Sequence, residues 1–94
     1  MALLLYKKIP RTYEPYLFEI LGRGALAVRK IGSQIIVFTE KGYIRIIEKH
    51  TYIDNEHIAY FYEIIDERAD RRITNVFSLA EAFKLVIQLL DQKI

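Results

Sequence analysis

The sequence predicts an α+β fold, in which an antiparallel β-meander of five or six strands is followed by one C-terminal amphipathic helix packed on it. Three observations support this prediction. The chain has 94 residues, which is enough for a single hydrophobic core. Apolar and polar residues alternate through its middle part, between short turns that mostly contain glycine. Near the end of the chain, apolar residues recur every three or four positions, as they do along one face of a helix.

An N-terminal arm is predicted over residues 1–15. Pro10 and Pro15 disfavour a regular helix or a central strand, so we expect a short edge strand at Leu3–Tyr6 and then extended chain. The apolar stretch Met1–Tyr6 is too short to span a membrane, and its lysines follow it instead of preceding it as in a secretory signal. A cytoplasmic protein is therefore expected.

The antiparallel sheet is predicted over residues 16–77. Its strands are expected at Tyr16–Leu21, Ala25–Ile31, Ile35–Glu40, Tyr43–Lys49 with an extension to Tyr52, His57–Ile65 and Ile73–Phe77. Connections of two to four residues favour antiparallel hairpins, because a parallel crossover needs a dozen or more. The charged segment 66–72 is predicted to be a solvated loop. Both faces of this sheet would carry apolar side chains, so we expect a partial barrel or a sheet covered in an oligomer.

The C-terminal helix, with its cap, is predicted over residues 78–93. Ser78 and Glu81 form a capping box that starts the helix at Leu79. The apolar arc of this helix covers roughly 200°, whereas docking on one sheet needs only about 100°. We therefore expect a second surface on the helix, formed by the N-terminal arm or by a partner subunit. A homodimer is predicted through the helix, the arm or both, with Leu85, Leu89 and Leu3–Leu5 as candidate contacts.

The composition and the motifs argue against several classes of chemistry. The chain has no cysteine, so disulfides and thiolate zinc sites are excluded. The segment Gly22-Arg23-Gly24 lies between two predicted strands and not before a helix, so it lacks the helix amides of a phosphate-binding loop. Because no catalytic set of residues stands out, we predict a non-catalytic protein without a cofactor.

Two histidines flank acidic residues around a predicted hairpin turn. His50 and His57, with Asp54 and Glu56, could offer imidazole and carboxylate ligands to a metal ion. The set matches no characteristic ligand spacing, however, and turns rich in acidic residues are common. A solvated turn is the favoured interpretation, and no metal site is predicted.

The numbers of isoleucine residues and of amide side chains indicate the kind of organism from which the protein comes. Fifteen residues are isoleucine, and only five carry an amide side chain. Scarce thermolabile residues are typical of heat-adapted proteins. We therefore expect a thermophilic archaeon, or a virus of one, as the source.

Charge is distributed unevenly between the halves of the chain. Residues 1–50 carry nine Lys or Arg and four Asp or Glu, a net charge of +5; residues 51–94 carry five and eight, a net charge of −3, and the sum is +2. This asymmetry indicates an anion-facing surface in the first half. In this half, Lys and Arg residues lie beside aromatic residues in the sequence. Single-stranded nucleic acid is bound by this combination, because cations pair with the phosphates and aromatic rings stack on the bases. The predicted binding residues are Lys7, Lys8, Arg11, Tyr13, Arg29, Lys30, Tyr43, Arg45 and Lys49.

The sequence thus predicts a small non-catalytic nucleic-acid-binding protein that favours single strands. Residues of the sheet and of the N-terminal arm would form its binding surface. The alternative is a homo-oligomeric protein-interaction or assembly module that uses the wide apolar face of the helix. Binding that weakens steeply with salt would favour the first function, and salt-insensitive self-association without nucleic-acid affinity would favour the second.

The predicted architecture resembles two known families. A meander closed by a C-terminal helix resembles the single-strand-binding fold of Whirly proteins and related transcriptional coactivators, which implies oligomers that bind nucleic acid on the sheet. It also resembles a pleckstrin-homology-like barrel, in which residues 77–82 (FSLAEA) would open the helix that plugs the barrel. The chain departs from that second pattern because it has no tryptophan. Both resemblances concern architecture, and architecture alone does not determine function.

Overall fold

The computed structural model describes residues 9–92, and in this range it confirms the α+β class. The elements, in order, are a 3-10 turn at Arg11–Tyr13, α1 (Glu14–Gly22), β1 (Ala27–Ile31), β2 (Gln34–Thr39), β3 (Gly42–Tyr52), β4 (Ile58–Asp66), β5 (Arg71–Val76) and α2 (Leu79–Asp91). The five strands form one antiparallel meander in the order β1-β2-β3-β4-β5, and the sheet is open instead of closing into a barrel. Neither α1 nor α2 is long and apolar enough to cross a membrane.

One predicted strand is wrong, because residues 16–21 belong to helix α1. Pro15 lies in the first turn of that helix, where its missing N–H costs no hydrogen bond. Leu17 and Ile20, three residues apart, are the buried side chains of α1 and face the core together. The predicted extended arm is also wrong over residues 9–15, since Ile9 is buried in the core and the chain then turns into the helix. Residues 1–8 lie outside the described part of the chain.

Both helices pack on the same face of the sheet. Helix α1 contacts β1 and α2, while α2 contacts β4 and β5. The core under them begins with the aligned row of Val28, Val37 and Ile44, all fully buried. A second row contains Ile35, Ile46 and Ile64. The single core of the domain therefore lies between one sheet face and the two helices.

Helix α2 begins as predicted, and its second apolar flank is covered within the chain. The Ser78 hydroxyl accepts a hydrogen bond from the Glu81 N–H at 3.1 Å. The Phe83 ring packs against the rings of Tyr13 and Tyr16, so this flank is covered by Tyr13, from the segment predicted as the arm, and by Tyr16 of α1. Leu89 is only 3% exposed. The helix therefore presents little apolar surface to another subunit, and the predicted homodimer stays a prediction.

Candidate nucleic-acid interface

The face of the sheet that points away from the helices carries a row of alternating arginine and isoleucine. The register aligns Arg29 with Ile36, Ile36 with Arg45, Arg45 with Ile65 and Ile65 with Arg72, so the row crosses all five strands. We call this surface the open face, because no helix in residues 9–92 packs on it. Neighbouring strands are about 4.8 Å apart, which places successive arginine backbones about 9.5 Å apart.

Aromatic rings flank the arginine row on both sides. On one side Phe38 pairs with Tyr43, and their ring centroids are 6.4 Å apart. On the other side Phe61 pairs directly with Lys49 across β3 and β4. Phe38 and Phe61 are half-buried, whereas Tyr43 and Lys49 are exposed. Cations and rings therefore lie within one or two residue positions of each other on the open face.

Two carboxylates also lie on this face and engage three of its four cations. Glu63 is 6% exposed, and its two oxygens lie 3.3 Å from Lys49 Nζ and 3.6 Å from Arg72 Nη1. Glu67 lies 3.9 Å from Arg45 Nη2. Arg29 makes no ion pair with any residue in the described range. Four cations against two carboxylates leave the open face with a net charge of +2.

Four of the predicted binding residues share this face. Arg29 lies on β1 in the same row as Arg45 of β3, Tyr43 lies one open-face row to one side of Arg45, and Lys49 lies two open-face rows to the other side. Their common placement follows from the alternation of side chains along a strand, which puts residues 43, 45 and 49 on the same side. The register thus brings together all the sheet residues of the predicted site except Lys30.

The other predicted binding residues lie elsewhere. Lys30 pairs with the buried Ile35 and is therefore on the helix side, where its ammonium donates to the Gly32 carbonyl at 2.7 Å. Arg11 and Tyr13 belong to the 3-10 turn, and the Tyr13 ring packs on Phe83 instead of facing solvent as a stacking platform. Lys7 and Lys8 lie outside the described residues.

Three members of the open face were missed by the sequence-based prediction. Arg72 falls in the segment assigned to a loop, although it is the second residue of β5. Phe38 and Phe61 lie in predicted strands but were not assigned to a face. The pairing of β2 with β3 and of β3 with β4 was needed to relate them to Arg45 and Lys49.

The β3–β4 hairpin extends beyond its neighbouring strands. The pairing with β2 ends at Ile47 and the pairing with β5 ends at Tyr62, so residues 48–61 form a two-stranded ribbon. Large apolar side chains are exposed on this ribbon and at its turn: Tyr52, Ile53, Ile58 and Tyr60. A two-stranded ribbon that exposes such side chains is at best marginally stable unless other structure packs on it.

The predicted solvated turn at the end of this ribbon is organised by Asp54. Its carboxylate accepts hydrogen bonds from the N–H groups of Glu56 and His57, and His57 Nδ1 lies 2.9 Å from it. The Glu56 amide and then the His57 side chain hold the pKa of Asp54 below its usual value. The His50 ring packs instead against Tyr52 and Tyr60. Within residues 9–92, no group of three or more His, Asp or Glu is arranged to hold a metal ion.

Comparison of the chain with protein-family models, with curated proteins and with solved structures finds no match. The observed sheet is open, and in this respect it differs from a pleckstrin-homology-like barrel.

Proposed function

We propose that this protein binds single-stranded nucleic acid on the open face, without catalysing a reaction. The observation that supports the proposal most is the row Arg29, Arg45 and Arg72 across the sheet, with rings on either side of it. Guanidinium groups pair well with phosphates. Exposed or half-exposed rings stack on the bases of a single strand, because without a partner strand these bases can separate from their stacked neighbours and offer their faces.

The direction of the row suggests the path of the bound strand. A strand that crosses the sheet perpendicular to the β-strands would meet an arginine about every 9.5 Å. This spacing corresponds to about three nucleotides of a stacked strand, at about 3.4 Å for each nucleotide. Arg29 and Arg72, near the two edges of the sheet, would then bind phosphates and position the strand between them.

Replacement of Arg29 by alanine should weaken binding by removing one phosphate contact, and with it part of the dependence of affinity on salt. Each phosphate neutralised on a single strand contributes about 0.7 to the slope of log affinity against log salt, so the Arg29→Ala slope should be shallower by about that amount. Arg72→Ala should act in the same way. Fluorescence-polarisation titrations of a labelled oligothymidylate at two salt concentrations measure both slopes.

Lys30 provides the matched control. Lys30→Ala removes the same charge at the next residue of β1, but from the helix side of the sheet. Its slope should equal that of the wild type. Equal effects of the Arg29 and Lys30 substitutions would contradict binding on the open face. Absence of binding at low salt would contradict nucleic-acid binding altogether.

A second candidate function is homo-oligomeric assembly, favoured by the exposed apolar ribbon and not by α2. If two copies associate through the ribbon, Tyr60→Ser and Ile58→Ser together should convert a dimer into a monomer, with no loss of the folded core. Sedimentation of the wild type and of the double variant at micromolar concentration measures this. An 11.1 kDa species in the wild type at every concentration would rule out the dimer.

Two further expectations accompany the proposal. The cytoplasmic location and the heat-adapted archaeal or viral source rest on the sequence and stay predictions. A heat-adapted source implies that the protein stays folded and binds nucleic acid at elevated temperature.

A further inference from the structure

A cleft of about 350 Å³ opens on the open face beside the arginine row. Its walls are Ile36, Phe38 and Tyr43, and its polar groups are Arg45 and Glu67. Flat or branched apolar side chains on the walls and a few polar groups are the usual composition of a small-ligand site. The cleft therefore suits a flat ring with polar edges.

Arg45 is poorly satisfied by the contacts that it makes. One terminal nitrogen donates to the Gln34 side-chain oxygen at 3.3 Å, and the other lies 3.9 Å from Glu67. The Nε atom is buried and has no hydrogen-bond acceptor in the described part of the chain. The hydrogen-bonding capacity of Arg68, by comparison, is well used, because its guanidinium donates two hydrogen bonds of 2.9 Å to the Asp66 carboxylate. Buried donors are rarely left unpaired, so the Arg45 guanidinium can gain by turning toward an added acceptor.

Arg45 as a donor and Glu67 as an acceptor, side by side, would favour one nucleic-acid base over the others. Guanine alone presents two acceptors side by side, O6 and N7, which match the fork of a guanidinium. Its N1–H lies next to O6 and would donate to the Glu67 carboxylate, which is already close to Arg45. Adenine would place its N6 amino group, a donor, against the guanidinium, and pyrimidines have no N7.

We propose that this cleft binds a guanine base of the single strand, with Arg45 donating to O6 and N7, Glu67 accepting from N1–H, and Phe38 and Tyr43 contacting the ring. This inference rests on the proposed function. It divides the arginine row between two roles, because Arg29 and Arg72 bind phosphates while the half-buried Arg45 reads a base.

The test compares a labelled oligothymidylate with the same oligomer carrying one central guanine or one central adenine. In fluorescence-polarisation titrations the guanine oligomer should bind the wild type about 5- to 100-fold more tightly than the other two. Glu67→Ala removes the acceptor for N1–H and Arg45→Lys removes the fork of donors, so each should abolish this preference while oligothymidylate still binds. Lys30→Ala changes a cation on the helix side of the sheet, outside the proposed interface, and should retain the preference. Thermal melting of each variant verifies that it is folded.

The outcomes separate this inference from the function on which it rests. Equal affinity of the wild type for the three oligomers overturns guanine recognition and leaves the nucleic-acid proposal standing. A guanine preference that survives in both folded cleft variants overturns the assignment to Arg45 and Glu67. Failure of every oligomer to bind at low salt overturns the function and the inference together.

Discussion

Replacement of Arg68 by methionine should lower the free energy of unfolding by about 3–5 kcal/mol at neutral pH. Arg68 and Asp66 form a buried ion pair with two bonds of 2.9 Å, and Arg68 also donates to the Leu89 carbonyl near the end of α2. Methionine keeps much of the volume but leaves the Asp66 carboxylate in the interior without its cation. Because domains of this size are stable by only about 5–15 kcal/mol, urea unfolding should detect the loss easily.

The same variant should show a distinct pH dependence. Burial favours the neutral form of Asp66, but the Arg68 side chain and amide outweigh it and hold the pKa of the carboxyl below its usual value of 3.8. A depressed pKa contributes stability above the unfolded value, and this contribution is lost as the pH falls through the folded value. In Arg68→Met the carboxyl can protonate instead of remaining a buried unpaired charge. The difference in stability between wild type and variant should therefore shrink below about pH 4.

Arg23 is the control for this measurement. Arg23 pairs with two carboxylates, those of Glu19 and Asp91 at 2.7 and 2.6 Å, but all three side chains are exposed to solvent. Arg23→Met should therefore cost much less than Arg68→Met, because exposed pairs gain little in water. Equal losses in the two variants, or a loss from Arg68→Met that does not depend on pH, would contradict the role of the buried pair.

Truncation of Phe83 to alanine should be about as damaging, with an expected loss of about 3–5 kcal/mol. The ring is fully buried and lies 5.5 Å and 5.9 Å, centroid to centroid, from the rings of Tyr13 and Tyr16. Its removal leaves a cavity where α2 meets α1. At about 4–8 °C for each kcal/mol in a domain of this size, the melting temperature should fall by at least about 12 °C.

Phe77 provides the matched phenylalanine on the surface. It is 72% exposed, just before α2, so Phe77→Ala should change stability by no more than about 0.5 kcal/mol. Thermal unfolding of the two variants beside the wild type makes the comparison. A Phe83→Ala midpoint as high as that of Phe77→Ala would mean that α1 does not cover this flank of α2, and the dimer through α2 would regain its basis.

The hairpins and α2 could be predicted because their signals are local. Gly32 adopts a positive φ of 62° in the turn between β1 and β2, a conformation that glycine favours. Ser78 caps α2 in the way that its spacing from Glu81 indicates. Helix α1 was missed because its sequence, EPYLFEILG, is apolar at most positions and so has no clear period.

The open face could be predicted only in part, because the assignment of faces needs the register between strands. Alternation within β3 correctly grouped Tyr43, Arg45 and Lys49. It could not show that Val28 and Val37 lie on the same face, which only the pairing of β1 with β2 establishes. Lys30 was grouped with Arg29 by sequence proximity, although adjacent strand residues point to opposite faces.

The most direct test of binding on the open face is an NMR titration of isotope-labelled protein with an oligonucleotide, observed at side chains. We predict that the signals of the Arg29 and Arg72 guanidinium groups and of the Phe38 and Phe61 rings shift in proportion to the oligonucleotide added. The ring signals of Phe83 on the helix side should stay unchanged. Shifts confined to the helix side, or no shifts at low salt, would contradict the proposed interface.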